Sequence, residues 1–235
     1  MKDFLSFDQD ARLVSYDAVP ERGRSMGHSR ADVASRLAAK RALDILVLLL
    51  SLVFVVPVIG LCALITAMDG GSPFFGHKRI GQNGREFRCW KIRSMVVDSQ
   101  SRLAAHLAAH PKARREWEMT RKLTDDPRVT RFGRFLRKSS LDELPQLLNV
   151  FLGQMSIVGP RPVPSDELAM YGASQQTYLA LRPGITGLWQ VNGRNSVSYA
   201  ARVAMDQEYR RTQSLKLDLL IIVKTVGVVL NRNGH

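Results

Sequence analysis

The sequence lacks the short motifs by which several large enzyme classes are recognised. It contains no GxxxxGK[ST] phosphate loop, no GxGxxG dinucleotide fingerprint and no GxSxG nucleophile elbow. Cysteine is scarce, and Cys62 and Cys89 form neither a metal-type spacing nor a disulfide framework. His106 and His110 stand four positions apart, but no glutamate follows His106 to complete a metalloprotease motif. These absences leave no signature of a P-loop nucleotidase, a Rossmann dehydrogenase, a serine hydrolase or a zinc protease.

Acidic residues are also few relative to basic ones. The 235 residues include 21 Asp and Glu against 34 Lys and Arg, which gives a formal net charge of +13 and a sequence pI of about 10.3. A strongly basic chain predicts an anionic partner. Nucleic acid, an acidic membrane surface and a phosphorylated small molecule all satisfy that prediction, and charge alone does not choose among them.

Hydrophobic patterning divides the chain into three regions. Residues 1–30 are polar, mixed in charge and without periodicity, which predicts a mobile amino-terminal tail. Residues 31–69 begin as a charged helix and continue into a run from Ile45 to Met68 that contains no charged residue. As a helix, that run would be about 36 Å long, enough to cross a hydrocarbon core of about 30 Å. Residues 70–235 form a third region, which we expect to lie at the membrane face.

Two topologies are open for the membrane region. Pro57 stands in the middle of the apolar run, where proline removes a backbone donor and collides with the carbonyl four residues earlier. The basic residues on the two flanks are balanced, with Arg30, Arg36, Lys40 and Arg41 before the run and Lys78, Arg79, Arg85 and Arg88 after it. This balance favours a Pro-broken re-entrant hairpin with both ends on one side, although a kinked spanning helix is also compatible with it.

The remaining pattern predicts an α+β fold that is rich in helix. Gly84 ends a turn between two predicted strands, 74–77 and 86–92. Helices are expected at 98–122 with a break at Pro111, at 166–181, at 199–211, and at 215–230 as an amphipathic helix in the membrane interface. Two further short strands are predicted at 155–158 and 188–191.

The stretch around Asp142 and Glu143 is the main candidate for chemistry. Apolar residues recur behind it at helical spacing, and Ser140 with Glu143 three residues later is a capping-box pattern. Acidic residues in a first helical turn are commonly no more than caps. Here a basic segment precedes them and Arg161 follows, and cations around a carboxylate pair suit a phosphate-handling site. An aspartate can attack phosphorus directly, because it is ionised at neutral pH.

Further cations stand in turns and strands on both sides of this stretch. Arg161 lies between two prolines that fix the backbone, so its guanidinium can be aimed at a phosphate, although a purely structural turn explains the same residues equally well. Arg182 begins a Pro-Gly turn whose glycine amides could cradle an anion. Lys91 is compatible with a substrate contact or with a surface that faces lipid headgroups.

Six motifs occur in a fixed order between Ala38 and about Leu230. They are Lys40-Arg41-Ala42-Leu43-Asp44, Lys91-Ile92-Arg93-Ser94-Met95, Ser140-Leu141-Asp142-Glu143-Leu144, Val158-Gly159-Pro160-Arg161-Pro162, Arg182-Pro183-Gly184-Ile185-Thr186-Gly187 and Gln190-Val191-Asn192-Gly193-Arg194. In these motifs the chain resembles the bacterial sugar transferase family, small monotopic polyprenyl-phosphate hexose-1-phosphate transferases. The resemblance is greatest to members that prime exopolysaccharide synthesis with galactose phosphate. One departure is Val56, where many relatives have serine before the membrane proline.

The resemblance implies a two-step reaction on the cytoplasmic face of the bacterial inner membrane, catalysed by the region 70–235. Asp142 would attack the β-phosphate of a UDP-hexose, release UMP and form a phosphosugar-aspartate that undecaprenyl phosphate then accepts. Mg²⁺ is implied as cofactor, with Glu143 nearest to it and Asp142 beside it. Phosphate or substrate contacts are implied at Arg137, Arg161, Arg182, Lys91 and Asp206. Because both substrates are phosphate anions, a carboxylate nucleophile requires such cations to suppress repulsion.

A second hypothesis makes the chain a membrane-tethered basic adaptor that does no chemistry. It predicts that Asp142→Asn leaves function intact, because removing an anion does not weaken anion binding. The enzyme hypothesis predicts near-total loss. On the enzyme hypothesis the partners are UDP-hexose, undecaprenyl phosphate and inner-membrane lipid, without nucleic acid, and a homo-oligomer is compatible with the sequence. The residues do not choose between galactose, which the resemblance favours, and glucose.

Overall fold

The computed structural model describes residues 30–120, 123–193 and 197–230. The predicted mobile tail, residues 1–30, lies outside the described residues apart from Arg30. From Arg36 onward the chain forms one compact unit, and all the contacts reported below lie within it. Of the other unit, Met1–Ser35, the structure describes only the beginning of the first helix.

The first helix, α1, extends from Arg30 to Ala67 without interruption and contains Pro57 in its interior. Among the described residues it is the one helix that is long and apolar enough to cross a membrane. The apolar side chains near its middle are largely exposed, with Val53 and Phe54 at 73% and 76%. Because the helix continues through Pro57, the predicted re-entrant hairpin is not confirmed, whereas the predicted long apolar helix is present and is compatible with membrane association.

The amino-terminal half of α1 is fixed to the domain by buried polar contacts. Lys40 Nζ lies 2.9 Å from Oδ2 of Asp218, whose side chain is fully buried. One turn later, Oδ1 of Asp44 accepts hydrogen bonds from Ser156 Oγ at 2.9 Å and from the amide of Ile157 at 3.0 Å. These contacts hold the start of the apolar run against the interior of the domain.

The carboxyl-terminal half of α1 is fixed as well, but to a different part of the domain. Arg93 donates a hydrogen bond to the carbonyl oxygen of Thr66 at 3.0 Å. Two side chains of α1 enter separate clusters of the hydrophobic core, Leu48 in the largest cluster and Cys62 in the cluster around Leu136. Both ends of the apolar run therefore contact the same compact unit.

The predicted hairpin is present as the antiparallel strands β1, Phe74–Ile80, and β2, Glu86–Ile92. The chain turns through Gln82–Gly84, where Gly84 has a φ of +77° that glycine adopts readily. Arg79 pairs opposite Phe87, and Phe75 pairs opposite Lys91. Since directly opposed residues share a face and side chains alternate with a period of two, Arg79 and Lys91 lie on the same face of the hairpin.

Most of the remaining chain is helical, as predicted. The helices are α2 Ser99–Ala109, α3 Pro111–Thr120, α4 Arg131–Ser139, α5 Gln146–Phe151, α6 Ser165–Ala169, α7 Gln175–Leu179, α8 Leu188–Val191, α9 Tyr199–Thr212 and α10 Leu215–Leu230. The break at Pro111 is confirmed, because α2 ends before it and α3 begins with it. The predicted helix 166–181 is divided into α6 and α7, and α4 was not predicted.

The predicted strand at 188–191 is wrong. These residues form the short helix α8, which buries Trp189 beneath the guanidinium of Arg202 at 4.6 Å from the ring centroid. A four-residue apolar run fits a buried strand and a buried helical turn equally well, so periodicity could not distinguish them.

A pair of short parallel strands, β3 Ser156–Val158 and β4 Gly184–Thr186, brings two loops into close backbone contact. A Cβ atom at Gly159 would lie 2.3 Å from the carbonyl oxygen of Arg182, and one at Gly184 would lie 2.1 Å from the amide nitrogen of Gly159. No side chain fits at either position. Glycine at these two positions therefore permits the two loops to approach closely, and this contact fixes the backbone that leads into Arg161.

Candidate active site

Asp142 and Glu143 lie in a tight 3-10 turn, Leu141–Glu143, between α4 and α5. The predicted capping box is wrong, because the Ser140 side chain makes no capping hydrogen bond and its φ of 58° is left-handed. Ser140 instead ends α4, and its amide donates to the carbonyl oxygen of Arg137 at 3.2 Å. A turn, and not the start of a long helix, therefore presents the two carboxylates.

Asp142 is a buried carboxylate with a cation nearby. Its residue is 7% exposed, and its Oδ2 lies 3.6 Å from Lys91 Nζ. Burial raises the pKa of Asp142, Lys91 and Arg137 oppose the rise, and the adjacent charge of Glu143 adds to it. The result is a carboxyl group that is harder to ionise than an ordinary aspartate and that has cations on two sides.

Glu143 has the opposite character. Its Oε1 lies 2.6 Å from Lys91 Nζ and 3.4 Å from a guanidinium nitrogen of Arg161. Burial works against ionisation of Glu143, but Arg161 and Lys91 outweigh it and lower the pKa to about 2. Glu143 is therefore ionised at neutral pH and holds two cations in place.

Lys91, Glu143 and Arg161 line an open cleft with an empty volume of about 240 Å³. The other lining residues are Arg79, Cys89, Gln146, Pro162, Gly184 and Ile185. Sequence reasoning counted Arg79 only as a charge flanking the membrane run. The period-two alternation of β1 and β2, which places Arg79 on the face of Lys91, is the signal that could have found it.

Arg137 and Arg182 were predicted to hold phosphate, and the structure places them differently. Arg137 donates from Nε to Ser94 Oγ at 2.9 Å and lies close enough to Asp142 to lower its pKa. Arg182 packs its backbone against Gly159, and its side chain is not among the residues that line the cleft. Arg137 is therefore placed with the nucleophile candidate, whereas the contact predicted for Arg182 is still a prediction.

Asp206 was also a predicted contact, and the structure does not bring it into the cleft. It is 1% exposed, and its Oδ2 accepts a hydrogen bond from the Tyr171 hydroxyl at 2.8 Å. Burial raises the pKa of Asp206 to about 7, although the hydrogen bond from Tyr171 partly offsets the rise.

At Gly184 the predicted anion cradle is wrong, because this amide donates to the carbonyl oxygen of Pro160 at 2.7 Å.

The donor set fits a Mg²⁺ ion only in part. Within the described residues, no three His, Cys, Asp or Glu side chains come together as a metal site. Asp142 and Glu143 supply two adjacent carboxylates, and magnesium is commonly held by one or two carboxylates together with substrate phosphates and water. The pair therefore fits an ion that arrives with a phosphorylated substrate and not an ion caged by protein alone.

A match to the family described as bacterial sugar transferase extends over residues 35–232. The chain belongs to the bacterial sugar transferase family. The motifs that carried the resemblance, from Lys40 to Arg194, all lie within the matched residues.

Three relatives show how similar this sugar transferase is to curated members. It is 51% identical over 199 residues to the exopolysaccharide production protein ExoY of Sinorhizobium fredii, covering 84% of this chain and 88% of the relative. It is 49% identical over 195 residues to the UDP-galactose-lipid carrier transferase of Erwinia amylovora and to the undecaprenyl-phosphate galactose phosphotransferase of Salmonella typhimurium. In both cases 83% of this chain is covered but 41% of the relative, so the chain corresponds to less than half of each.

Proposed function

We propose that this sugar transferase moves hexose-1-phosphate from a UDP-hexose to undecaprenyl phosphate through a covalent phosphosugar-aspartate at Asp142. The product would be the first membrane-bound intermediate of exopolysaccharide synthesis. The observation that carries the proposal is the pair of unlike carboxylates, with Glu143 neutralised by Lys91 and Arg161 while Asp142 is less closely paired. The names of the relatives support the reaction class.

In the first step, a carboxylate oxygen of Asp142 attacks the β-phosphorus of the donor. A bond forms between that oxygen and phosphorus, and the bond from the β-phosphorus to the bridging oxygen breaks. The electron pair stays on the bridging oxygen, which leaves as part of UMP. Lys91 and Arg161 stabilise the charge on the phosphoryl oxygens in the transition state, because they are already oriented by Glu143.

In the second step, a phosphate oxygen of undecaprenyl phosphate attacks the same phosphorus. The new bond completes a diphosphate, and the bond to Asp142 breaks, which returns the free carboxylate. The turn that holds Asp142 is next to the membrane helix, because Leu141 packs against the core cluster that contains Cys62 and Val58 of α1. This neighbourhood suits an acceptor whose lipid tail stays in the bilayer.

Mg²⁺ is proposed as the cofactor, held by Glu143 and Asp142 together with the donor phosphates. When bound it would neutralise phosphate charge and so lower the repulsion that a carboxylate nucleophile meets. Lys91 contributes the same effect from the protein side, because its ammonium group lies between the two carboxylates.

The proposed location is the cytoplasmic face of the bacterial inner membrane, with α1 re-entrant or lying in the membrane plane. Contacts at both ends of its apolar run, at Lys40 and at Thr66, with the same compact unit support this topology. A helix that crossed the bilayer would carry one of these ends away from the unit. The exposed apolar residues of α10, such as Leu219 and Val223, suit the membrane interface.

Intact-mass measurement tests the covalent intermediate. Purified protein is mixed with UDP-galactose in the absence of lipid, and the mass gain and the release of UMP are followed together. We expect the wild type to gain one hexose phosphate, Asp142→Asn to gain none, and undecaprenyl phosphate to discharge the adduct. The control is Asp125→Asn, which removes an exposed carboxylate in a turn. Turnover without an adduct at Asp142 would overturn the intermediate, and no UMP release at all would favour the adaptor hypothesis.

The donor sugar is proposed to be galactose, with glucose as the alternative. The names of the Erwinia and Salmonella relatives support galactose. A panel of labelled UDP-sugars, with transfer into the lipid fraction as the readout, decides between them. Faster transfer from UDP-glucose than from UDP-galactose would reverse the assignment.

A further inference from the structure

Arg79 is a cation in the cleft to which the proposed steps assign no role. It lines the cleft with Arg161, and the two guanidinium groups are close enough to repel each other. In the part of the chain that the structure describes, no carboxylate lies within ion-pair distance of Arg79. Its neighbour on the strand differs, since Lys78 lies on the other face and faces Glu86 at 3.8 Å.

The surroundings of Arg79 disfavour its charge. Burial lowers the pKa of Arg79, and the positive charge of Arg161 lowers it further, while Glu167 offsets only part of this. A partly buried cation without a partner costs free energy of folding unless an anion compensates it. An anion bound in the cleft would relieve the repulsion between Arg79 and Arg161, so the charges that line the cleft favour an anionic ligand.

Asp142 is not among the residues that line the cleft, and strand register separates Arg79 along the hairpin from Lys91, the cation that contacts Asp142. Lys91, which contacts Asp142, pairs opposite Phe75, so the levels of Lys91 and Arg79 are four residues apart along the hairpin. Along the strand axis, the backbone positions of Lys91 and Arg79 are therefore about 13 Å apart at the rise of an antiparallel strand. Arg161 lines the same cleft as Lys91 and Arg79, and its charge interacts with Asp142 and with Arg79.

We propose that Arg79, together with Arg161, binds the phosphate of the nucleotide leaving group, the donor phosphate that Asp142 does not attack. The proposal rests on the proposed function and adds a subsite to it. When the bond from the β-phosphorus to the bridging oxygen breaks, the electron pair stays on that oxygen, and the new charge belongs to the nucleotide. A guanidinium at this position stabilises the departing charge and fixes the direction in which the donor lies.

Binding of UMP and of uridine to the full chain in nanodiscs tests this subsite without any chemistry. For Arg79→Ala we expect the Kd of UMP to rise about tenfold or more, as the loss of a charge-assisted contact predicts, and the Kd of uridine to stay unchanged. Arg79→Lys should recover part of the affinity, because an ammonium keeps the charge but not the planar fork. Lys78→Ala is the matched control, one residue away on the opposite face, and should bind UMP as the wild type does.

Two further readouts separate this role from a structural one and from the proposed function. Arg79→Ala should unfold at the same temperature as the wild type or a higher one, because it loses an unfavourable charge, whereas loss of a structural arginine would lower that temperature. The discharge of a preformed adduct by undecaprenyl phosphate should be unchanged. The proposal would be overturned if Arg79→Ala bound UMP with a Kd within about twofold of the wild-type value. It would also be overturned if Arg79→Ala slowed the discharge of the adduct by undecaprenyl phosphate and left UMP binding unchanged. Failure of the proposed function shows instead as a wild type without adduct, whatever its affinity for UMP.

Discussion

Lys91 Nζ lies 2.6 Å from Oε1 of Glu143, and this ion pair makes the two adjacent carboxylates unlike. Glu143 is held by two cations and has a pKa lowered to about 2, whereas Asp142 is 3.6 Å from Lys91 and has a raised pKa. Neighbouring carboxyl groups whose pKa values move apart are suited to different tasks. Here Glu143 organises the cations, and Asp142 keeps oxygen lone pairs for attack.

The raised pKa of Asp142 predicts an acid limit on the first step. The carboxylate must be ionised to attack, so the rate falls as pH drops through the pKa of Asp142, and burial moves that fall above the usual aspartate value of about 3.9. Glu143 stays ionised throughout this range. Single-turnover UMP release between about pH 4 and pH 8 should show one ionisation. A rate that stays constant down to about pH 4 would contradict the raised pKa.

Replacing Lys91 should move that limit. Lys91 is the cation that most strongly lowers the pKa of Asp142, so Lys91→Met should shift the acid limb to higher pH and slow adduct formation by about tenfold or more. The measurement is the same single-turnover profile. Lys112→Met, which removes an exposed cation from α3, is the control and should leave the profile in place. If the acid side of the pH–rate profile does not shift in Lys91→Met, Lys91 does not act on Asp142.

The close approach of two backbones at Gly159 predicts a strong effect of a single methyl group. Gly159→Ala would place Cβ 2.3 Å from the carbonyl oxygen of Arg182, so the loop leading into Arg161 must move. We expect a loss of about 1–3 kcal/mol in unfolding free energy and slower adduct formation. The control is Gly227→Ala in α10, which meets no atom within 4 Å and should keep or slightly raise stability. Equal stability of the two variants would refute the packing argument.

Asp206 should make stability depend on pH. Its folded pKa of about 7 lies above the unfolded value of about 3.9, so the folded state retains a proton that the unfolded state loses, and stability falls as pH rises between them. The full effect is about 4 kcal/mol by this arithmetic. Asp206→Asn keeps an acceptor for Tyr171 and removes the ionisation. We measure the free energy of unfolding of both proteins by denaturant at pH 5 and pH 8. Relative to the wild type, Asp206→Asn should be more stable at pH 8 than at pH 5.

The topology of α1 can be read from cysteine labelling. Ala38 and Met68 are exposed and bracket the apolar run, whereas the native Cys62 and Cys89 are buried. With Ala38→Cys and Met68→Cys in separate variants, a membrane-impermeant maleimide should label both positions in inverted vesicles and neither in intact cells. Labelling of the two positions from opposite sides would establish a spanning helix.

The parts of the fold that sequence reasoning found are those with local signals. The hairpin is indicated by Gly84 between two strand-like runs, the break between α2 and α3 by Pro111, and α10 by an apolar run that contains Asp218 and Lys224. The capping-box prediction at Ser140 was wrong because Ser140 ends α4 and directly precedes the 3-10 turn. A pattern of four residues does not show that one residue occupies both positions.

The site was found in part for the same reason. Asp142, Glu143 and Arg161 were predicted from adjacency and from motifs, and the structure brings Glu143 and Arg161 into one cleft with Lys91. Arg79 was missed because its importance depends on strand pairing, which joins residues far apart in the chain. The sequence pattern around Asp206 is compatible with a substrate contact, but tertiary packing buries this side chain against Tyr171.

The long apolar helix α1 is also a structural member of the folded domain. Leu48 and Cys62 fill two core clusters, and Lys40 supplies the counter-charge of Asp218 in α10. Deleting the helix to obtain a water-soluble enzyme would uncover both clusters and strand a buried carboxylate, so a truncated form should aggregate. A soluble version is better sought by making the outward side chains such as Phe54 hydrophilic while the inward ones are kept.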